Sequence, residues 1–453
     1  MLTYELKKAP GLPLYEALYR CIRDDILTGR LAAGQKLPSK RALSTNLKVS
    51  KITVEGAYNQ LLAEGYIRSV EKVGYFVESV ERKGHCPAPK AEPAQQSTEV
   101  IDLTANGPAQ FPFSVWSRLQ REALLDLGEQ LLLPLHNQGN LELRRAIADH
   151  LSQFRGMQVD ADNILIGAGT DFLYNLLIQL LGREQRYAVE EPGYGKIRRI
   201  YAAGGATCVS AKMDELGVVP ESLRSSNVLH ISPSHHFPTG LVTPMSRRLE
   251  LLAWANGGSD RWIIEDDYDN EFRFASHPMP TMQSLDRGGR VIYMNTFSKT
   301  LAPSIRISYM VLPEKLMGQF REKLGFYSCT VPGFEQITLA RFLSRGHFEK
   351  HINRMRKFYK ARRNRIMAMI AQSPVSHRIT VREENAGLHF LLQTQISDEE
   401  LMTRCDRMGI RVRTLGSYYH GPVPEADRGC LVVNYSGLTE QQLERLQQKL
   451  ENM

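Results

Sequence analysis

A lysine stands among hydroxyls in Asn295-Thr296-Phe297-Ser298-Lys299-Thr300, and Arg306 follows it seven residues on. An amine so placed is suited to an aldehyde cofactor that carries a phosphate: Lys299 forms a Schiff base while Thr296, Ser298 and Arg306 hold the dianion. Upstream lies a second loaded segment, Glu265-Asp266-Asp267-Tyr268-Asp269. Taken alone, an acidic run is more often a solvated loop or a magnesium site, and a lone lysine is nearly always a surface residue. Together the two segments describe pyridoxal 5′-phosphate, since a carboxylate beside the pyridine nitrogen keeps it protonated and makes the ring an electron sink.

Both segments need rigid supports. Arg261-Trp262-Ile263-Ile264 and Val291-Ile292-Tyr293-Met294 are short apolar runs that read as buried strands, and each leads into one loaded segment. Strand ends of this kind are where α/β sheets build their sites. A third strand, Asn163-Ile164-Leu165-Ile166, runs into Gly167-Ala168-Gly169-Thr170, a glycine turn that opens a helix. Backbone N–H groups at such a turn form a phosphate site, so Gly169 and Thr170 join the candidates, although a glycine turn is usually only a turn.

The chain of 453 residues suggests about three structural units at roughly 150 residues each. With 42% hydrophobic and 23% charged residues it can bury a large core, which excludes wholesale disorder and collagen-like repeats. Lys and Arg total 57 against 49 acidic residues, a balance of +8 that permits a polyanionic partner without requiring one. Cys21, Cys86, Cys208, Cys329, Cys405 and Cys430 lie far apart, with no spacing for zinc or for a disulfide framework, so reduced thiols are expected and no metal. Glu5, Lys7, Lys8 and Pro10 occupy the place of a signal peptide's apolar core, and no apolar run approaches the ~18 residues of a membrane span. A cytoplasmic protein without membrane contact is the expectation.

Residues 80–99 read as a linker, rich in Pro87, Pro89, Pro93, Gln95 and Gln96. It separates residues 1–79 from residues 100–453, whose helical and strand-like patterns alternate as in an α/β fold, with a large part at about 130–325 and a small part at about 326–453. In the first unit Leu14, Leu18, Ile22, Ile26 and Leu27 fall at helical spacing before Gly29. Ser39 and Ser50 are suited to cap two further helices, and Tyr66-Ile67-Arg68 with Gly74-Tyr75-Phe76-Val77 read as a two-stranded wing. Residues 1–80 hold 12 basic against 8 acidic residues, half of the net charge. A winged helix-turn-helix would put Ser39, Lys40, Arg41, Ser50, Lys51, Thr53, Lys72 and Gly74 at DNA, whereas the plain alternative is a solvated basic face.

Leu37-Pro38-Ser39-Lys40-Arg41-Ala42-Leu43, Leu47 to Val54, and Leu61-Leu62-Ala63-Glu64-Gly65-Tyr66-Ile67 resemble the winged helix-turn-helix of GntR-family transcription factors. The acidic and lysine segments resemble those of fold-type I aminotransferases, over roughly residues 100–450. The combination resembles the MocR (GabR-type) regulators. This resemblance implies an α/β major domain with a mixed, mostly parallel sheet, and an N-terminal winged helix. It implies that Lys299 is the Schiff-base lysine, Asp266 pairs with the pyridine nitrogen, Tyr268 bonds the 3′-oxygen and Tyr194 stacks on the cofactor. It further implies a head-to-tail homodimer on a double-stranded DNA operator, sensing pyridoxal phosphate as a report of vitamin B6 status, or sensing an amine or amino acid. An active aminotransferase with a DNA-binding appendage is the alternative.

Departures bear on that choice. Glu55 replaces a basic residue common in the recognition helix of the winged-helix family. Phe237 stands where active aminotransferases usually carry an Asn, and His136 where they offer a Tyr to the partner subunit's phosphate. Cys430-Leu431-Val432-Val433-Asn434-Tyr435 has no carboxylate-binding arginine, for which Arg411 or Arg413 is the nearest substitute. Net turnover is therefore not expected.

Overall fold

Serine caps and a left-handed glycine divide the unit Met1–Thr98 into helices. The computed structural model describes residues 2, 4, 13–71, 73–79, 100–105, 107, 110–272, 279–383 and 387–451. Helix Leu14–Thr28 stops at Gly29, whose φ of 79° suits a residue without Cβ. Ser39 Oγ accepts from the Ala42 N–H at 3.1 Å to start Lys40–Leu47, and Ser50 Oγ accepts from the Thr53 N–H at 3.1 Å to start Lys51–Ala63. Leu18, Ile22, Leu43, Val54, Tyr58 and Leu61 close the core. Leu27, expected on the buried face, is exposed instead, because Ile26 one position earlier takes the inward place. Ile67–Val70 pairs antiparallel with Gly74–Val77, giving the wing. Lys72 and the linker 80–99 lie outside the described residues.

The second unit, Glu99–Met453, is built on an eight-stranded sheet. In sheet order its strands are Ile164–Gly167, Ser308–Val311, Val291–Thr296, Trp262–Asp266, Val228–Ile231, Arg186–Glu191, Thr207–Asp214 and Gly217–Val218. The five strands from Val291–Thr296 to Thr207–Asp214 run parallel, while Ser308–Val311 and Gly217–Val218 pair antiparallel with their neighbours. Both faces are covered, which is why the central strands are apolar throughout rather than alternating. Ile264 and Ile292 pack with Leu173 and Leu177 of helix Thr170–Leu181. Ile263 and Val291 pack with Leu251 and Leu252 of helix Met245–Asn256 on the other face. A second sheet, fully antiparallel, orders Thr380–Arg382, His389–Gln393, Cys430–Asn434 and Arg413–Thr414. No helix among the described residues is long and apolar enough to cross a membrane.

Candidate functional site

Strand register brings the two loaded segments together. Asp266 lies opposite Met294 in the parallel pair, so the acidic segment and the lysine segment leave the sheet side by side. They open on a cavity of about 480 Å³ lined by Thr170, Tyr194, Asp266, Tyr268, Thr296, Ser298, Lys299 and Arg306. Lys299 belongs to the short helix Phe297–Thr300, and its Nζ stands 5.9 Å from the centre of the Tyr268 ring. Burial pushes the Lys299 pKa down, while the charges of Asp269 and Asp266 act against that shift. A lysine lowered in this way is closer to the neutral amine that attacks an aldehyde.

The carboxylates of the acidic run have separate tasks. Glu265 accepts from the Met282 and Gln283 N–H groups at 2.8 and 2.9 Å, Asp267 pairs with the buried Arg155, and Asp269 bonds His235 Nδ1 at 2.7 Å. Among the described residues no three His, Cys, Asp or Glu side chains gather as a metal site. Asp266 Oδ2 accepts from the Tyr174 hydroxyl and stands 3.4 Å from His230 Nε2, while Tyr201 bonds His230 Nδ1 at 2.6 Å. Tyr201 donating to Nδ1 leaves Nε2–H to face Asp266. Neither Tyr174 nor His230 belongs to a motif that the sequence alone singles out. The available signal was a polar residue inside an apolar run, Tyr174 in Thr170–Leu181 and His230 in Val228–Ile231.

Pyridoxal phosphate fits this cavity on three observations. Asp266 Oδ1, the Tyr268 hydroxyl and Ser298 Oγ are buried with no hydrogen-bond partner, a cost that a ligand bearing a ring N–H, an oxygen and a phosphate removes. Gly169 has a φ of 89°, and a Cβ there would fall 2.0 Å from Arg306 Nη2, so this glycine makes room for the guanidinium. Arg306, itself at φ 50°, reaches the Ala168 carbonyl at 3.4 Å and Asp171 at 3.5 Å beside the start of the helix. Thr296 differs from expectation in part: its Oγ1 accepts from the Ser298 N–H at 3.1 Å and from the Ser308 hydroxyl at 2.7 Å, which holds the lysine-bearing turn.

At the opposite wall Phe237 packs its ring 5.2 Å from Tyr418 and 6.0 Å from Tyr194, which is 47% exposed. His389 Nε2 lies 3.0 Å from the Pro238 carbonyl. Glu190 accepts from the Ser232 N–H at 3.0 Å, and burial pushes its pKa up to about 8. The nearby His236 is pushed down to about 3, again by burial, so this pair is uncharged near neutrality. Arg413 lines the cavity directly opposite Val432 in the register of the small sheet, where its side chain bonds Tyr418. Arg411 points elsewhere, 3.1 Å from Asp102. His136 is exposed and outside the cavity lining, with its Nδ1 3.3 Å from the Gln138 N–H.

In the winged-helix unit Arg41, Ser50 and Lys51 are exposed, and Thr53 is half-buried with its hydroxyl 2.9 Å from Ser50 Oγ. Ser39 acts as a helix cap. Lys40 is committed to the protein, bonded to Glu55 at 2.7 Å and set 5.5 Å from the centre of the Tyr75 ring. Gly74 has a φ of 134°, and a Cβ there would lie 3.1 Å from Lys36 Cε.

Residues 14–77 match the family described as bacterial regulatory proteins, gntR family, and residues 98–450 match aminotransferase class I and II. The HTH-type transcriptional regulator YdeL of Bacillus subtilis is 36% identical, with 97% of each chain covered. The probable rhizopine catabolism regulatory protein MocR of Rhizobium meliloti is 31% identical over 96% of this chain and 92% of its own. The pyridoxine biosynthesis regulator PdxR of Corynebacterium glutamicum is 32% identical over 88% and 87%. Among solved structures, the Pyrococcus horikoshii kynurenine aminotransferase superposes with a TM-score of 0.67 at 24% identity, covering 79% of this chain and 92% of that one. That likeness carries the fold.

Proposed function

The chain belongs to the GntR family of bacterial regulatory proteins, in the MocR-type group whose winged helix is joined to an aminotransferase class I and II domain, and on that basis we propose a DNA-binding regulator governed by the cavity around Lys299. Lys299 attaches pyridoxal 5′-phosphate, Asp266 holds the pyridine nitrogen with Tyr174 and His230 behind it, and Tyr268 bonds the ring oxygen. Thr170, Ser298 and Arg306 hold the phosphate at the turn made by Gly169, with Thr296 fixing that turn, and Tyr194 covers the ring. The bound cofactor supplies an electrophilic carbon to which amines add.

The effector is an amine that carries an acid group, and Arg413 holds that group. The observation behind this reading is the register of the small sheet, which sets Arg413 against Val432 on the cavity wall while Arg411 is spent on Asp102. Such an effector regulates by preferring one arrangement of a dimer over another, which changes how two winged helices meet their half-sites on operator DNA. A head-to-tail homodimer acting in the cytoplasm at the nucleoid completes the reading. Phe237 in place of a polar group near the ring oxygen disfavours steady transamination.

The test is the near-visible absorbance of the purified chain, followed during titration with amines and amino acids. Wild type is expected to show a band that Lys299→Ala loses. Amino acids shift that band in wild type, whereas Arg413→Ala keeps the band and loses the shift. A band that no amine moves would make the cofactor itself the signal, and steady turnover of an amino donor with a keto acid would favour the enzyme.

A further inference from the structure

Ile52, the second residue of helix Lys51–Ala63, is 80% exposed, more than any other large apolar side chain among the described residues. The core of its unit is closed without it, since Val54, Ala57, Tyr58 and Leu61 face inward. Gly56 turns toward Tyr15, whose Cβ lies 3.3 Å from where a side chain would begin. The outer face of the helix therefore presents Ile52, Glu55 and Asn59, spaced three and four residues apart. Lys40 answers the charge of Glu55 at 2.7 Å, so that face can approach phosphates, and the exposed Lys51 stands next to Ile52.

The second helix of a helix-turn-helix enters the major groove with its first residues at the base edges. There the only apolar group that a base presents is the 5-methyl of thymine. Isoleucine in a helix is held near one rotamer, so it loses little freedom on making such a contact. We infer that Ile52 reads a thymine through its 5-methyl group in each half-site, a specificity contact that rests on the DNA-binding reading above.

The full-length chain is used to select a binding sequence from random duplexes, and each thymine of the selected site is then replaced singly by uracil, which lacks only that methyl. One position per half-site is expected to lose about fourfold in affinity, the factor that one buried methyl group supplies. Ile52→Ala should bind with a flat profile at that position, and Ile52→Val should keep the sensitivity; thermal melting checks that both variants fold. Identical uracil profiles for wild type and Ile52→Ala would overturn the inference while leaving DNA binding intact. Selection of no sequence at all would overturn both.

Discussion

Each carboxylate around Lys299 is defined by what sits behind it. Asp266 gives one oxygen to Tyr174 and His230 and keeps the other unpartnered in the cavity, so Asp266→Ala should weaken cofactor retention by about tenfold or more, the loss of one charge-assisted hydrogen bond. Spectral titration of the cofactor-free protein measures it, and unchanged retention would remove Asp266 from the site. Glu190 makes a pH prediction. Burial raises it from the ordinary 4.5 to about 8, so between those values the unfolded chain has released a proton that the folded chain keeps. Stability then falls as pH rises through that window, by up to about 1.4 kcal/mol per pH unit for this group. Glu190→Gln should flatten part of the decline in urea melts between pH 5 and 8, while Glu265, pushed up to about 7, retains its own share. A decline as steep as wild type would mean that Glu190 is ionised in the fold. Lys299, Asp266, Tyr268 and Arg306 are legible because they sit in two short runs, the acidic segment and the lysine segment. Tyr174, His230, Glu190 and His389 were not, because their roles arise only when separate strands and helices converge.

Two turns carry most of the positioning. Gly169 opens helix Thr170–Leu181 at a φ that an L side chain adopts only with strain of about 1–3 kcal/mol. Gly169→Ala also drives its methyl into the Arg306 guanidinium. Phosphate-end binding should suffer first, seen as a higher Kd for the cofactor with little change in the melting of the winged-helix unit, and equal loss in both would point to general misfolding. Ser50 is the counterpart in the DNA-binding unit, where loss of the cap in Ser50→Ala costs about 1 kcal/mol and loosens the first turn that carries Lys51 and Ile52. At this scale the sequence was clear about apolar runs and caps, since Ile164–Gly167, Trp262–Asp266 and Val291–Thr296 follow from short buried stretches and both serines cap as expected. It was silent on register. That Arg413 rather than Arg411 reaches the cavity depends on pairing, since Arg413 is set against Val432 in the small sheet whereas Arg411 belongs to a separate short strand paired with Ile101–Asp102.

On the scale of the molecule, surface apolar groups and charge tell different stories. The charge of +8 is divided equally, +4 in residues 1–80 and the remaining +4 in a part more than four times longer, so its density marks the winged-helix unit as the polyanion-facing one. A run of several exposed apolar groups marks the other. Phe113, Leu125, Leu132 and Leu133 fall within one stretch of the second unit and are 66–78% exposed. Under the proposed homodimer a second copy of the chain would cover such side chains and bring a second winged helix to the operator. Leu125→Glu combined with Leu132→Glu places charges on that stretch and leaves the core untouched, because neither side chain belongs to it. If that homodimer forms through this stretch, sedimentation should show a dimer for wild type and a monomer for the double substitution. Operator affinity should fall by about a hundredfold, since two linked half-site contacts become one. Binding to a single half-site should be unchanged, because Lys51 and Ile52 belong to the other unit of the chain, which the substitutions leave unaltered in sequence. A dimer that survives the double substitution would move the subunit interface elsewhere, and a monomer with undiminished operator affinity would mean that one winged helix suffices for regulation.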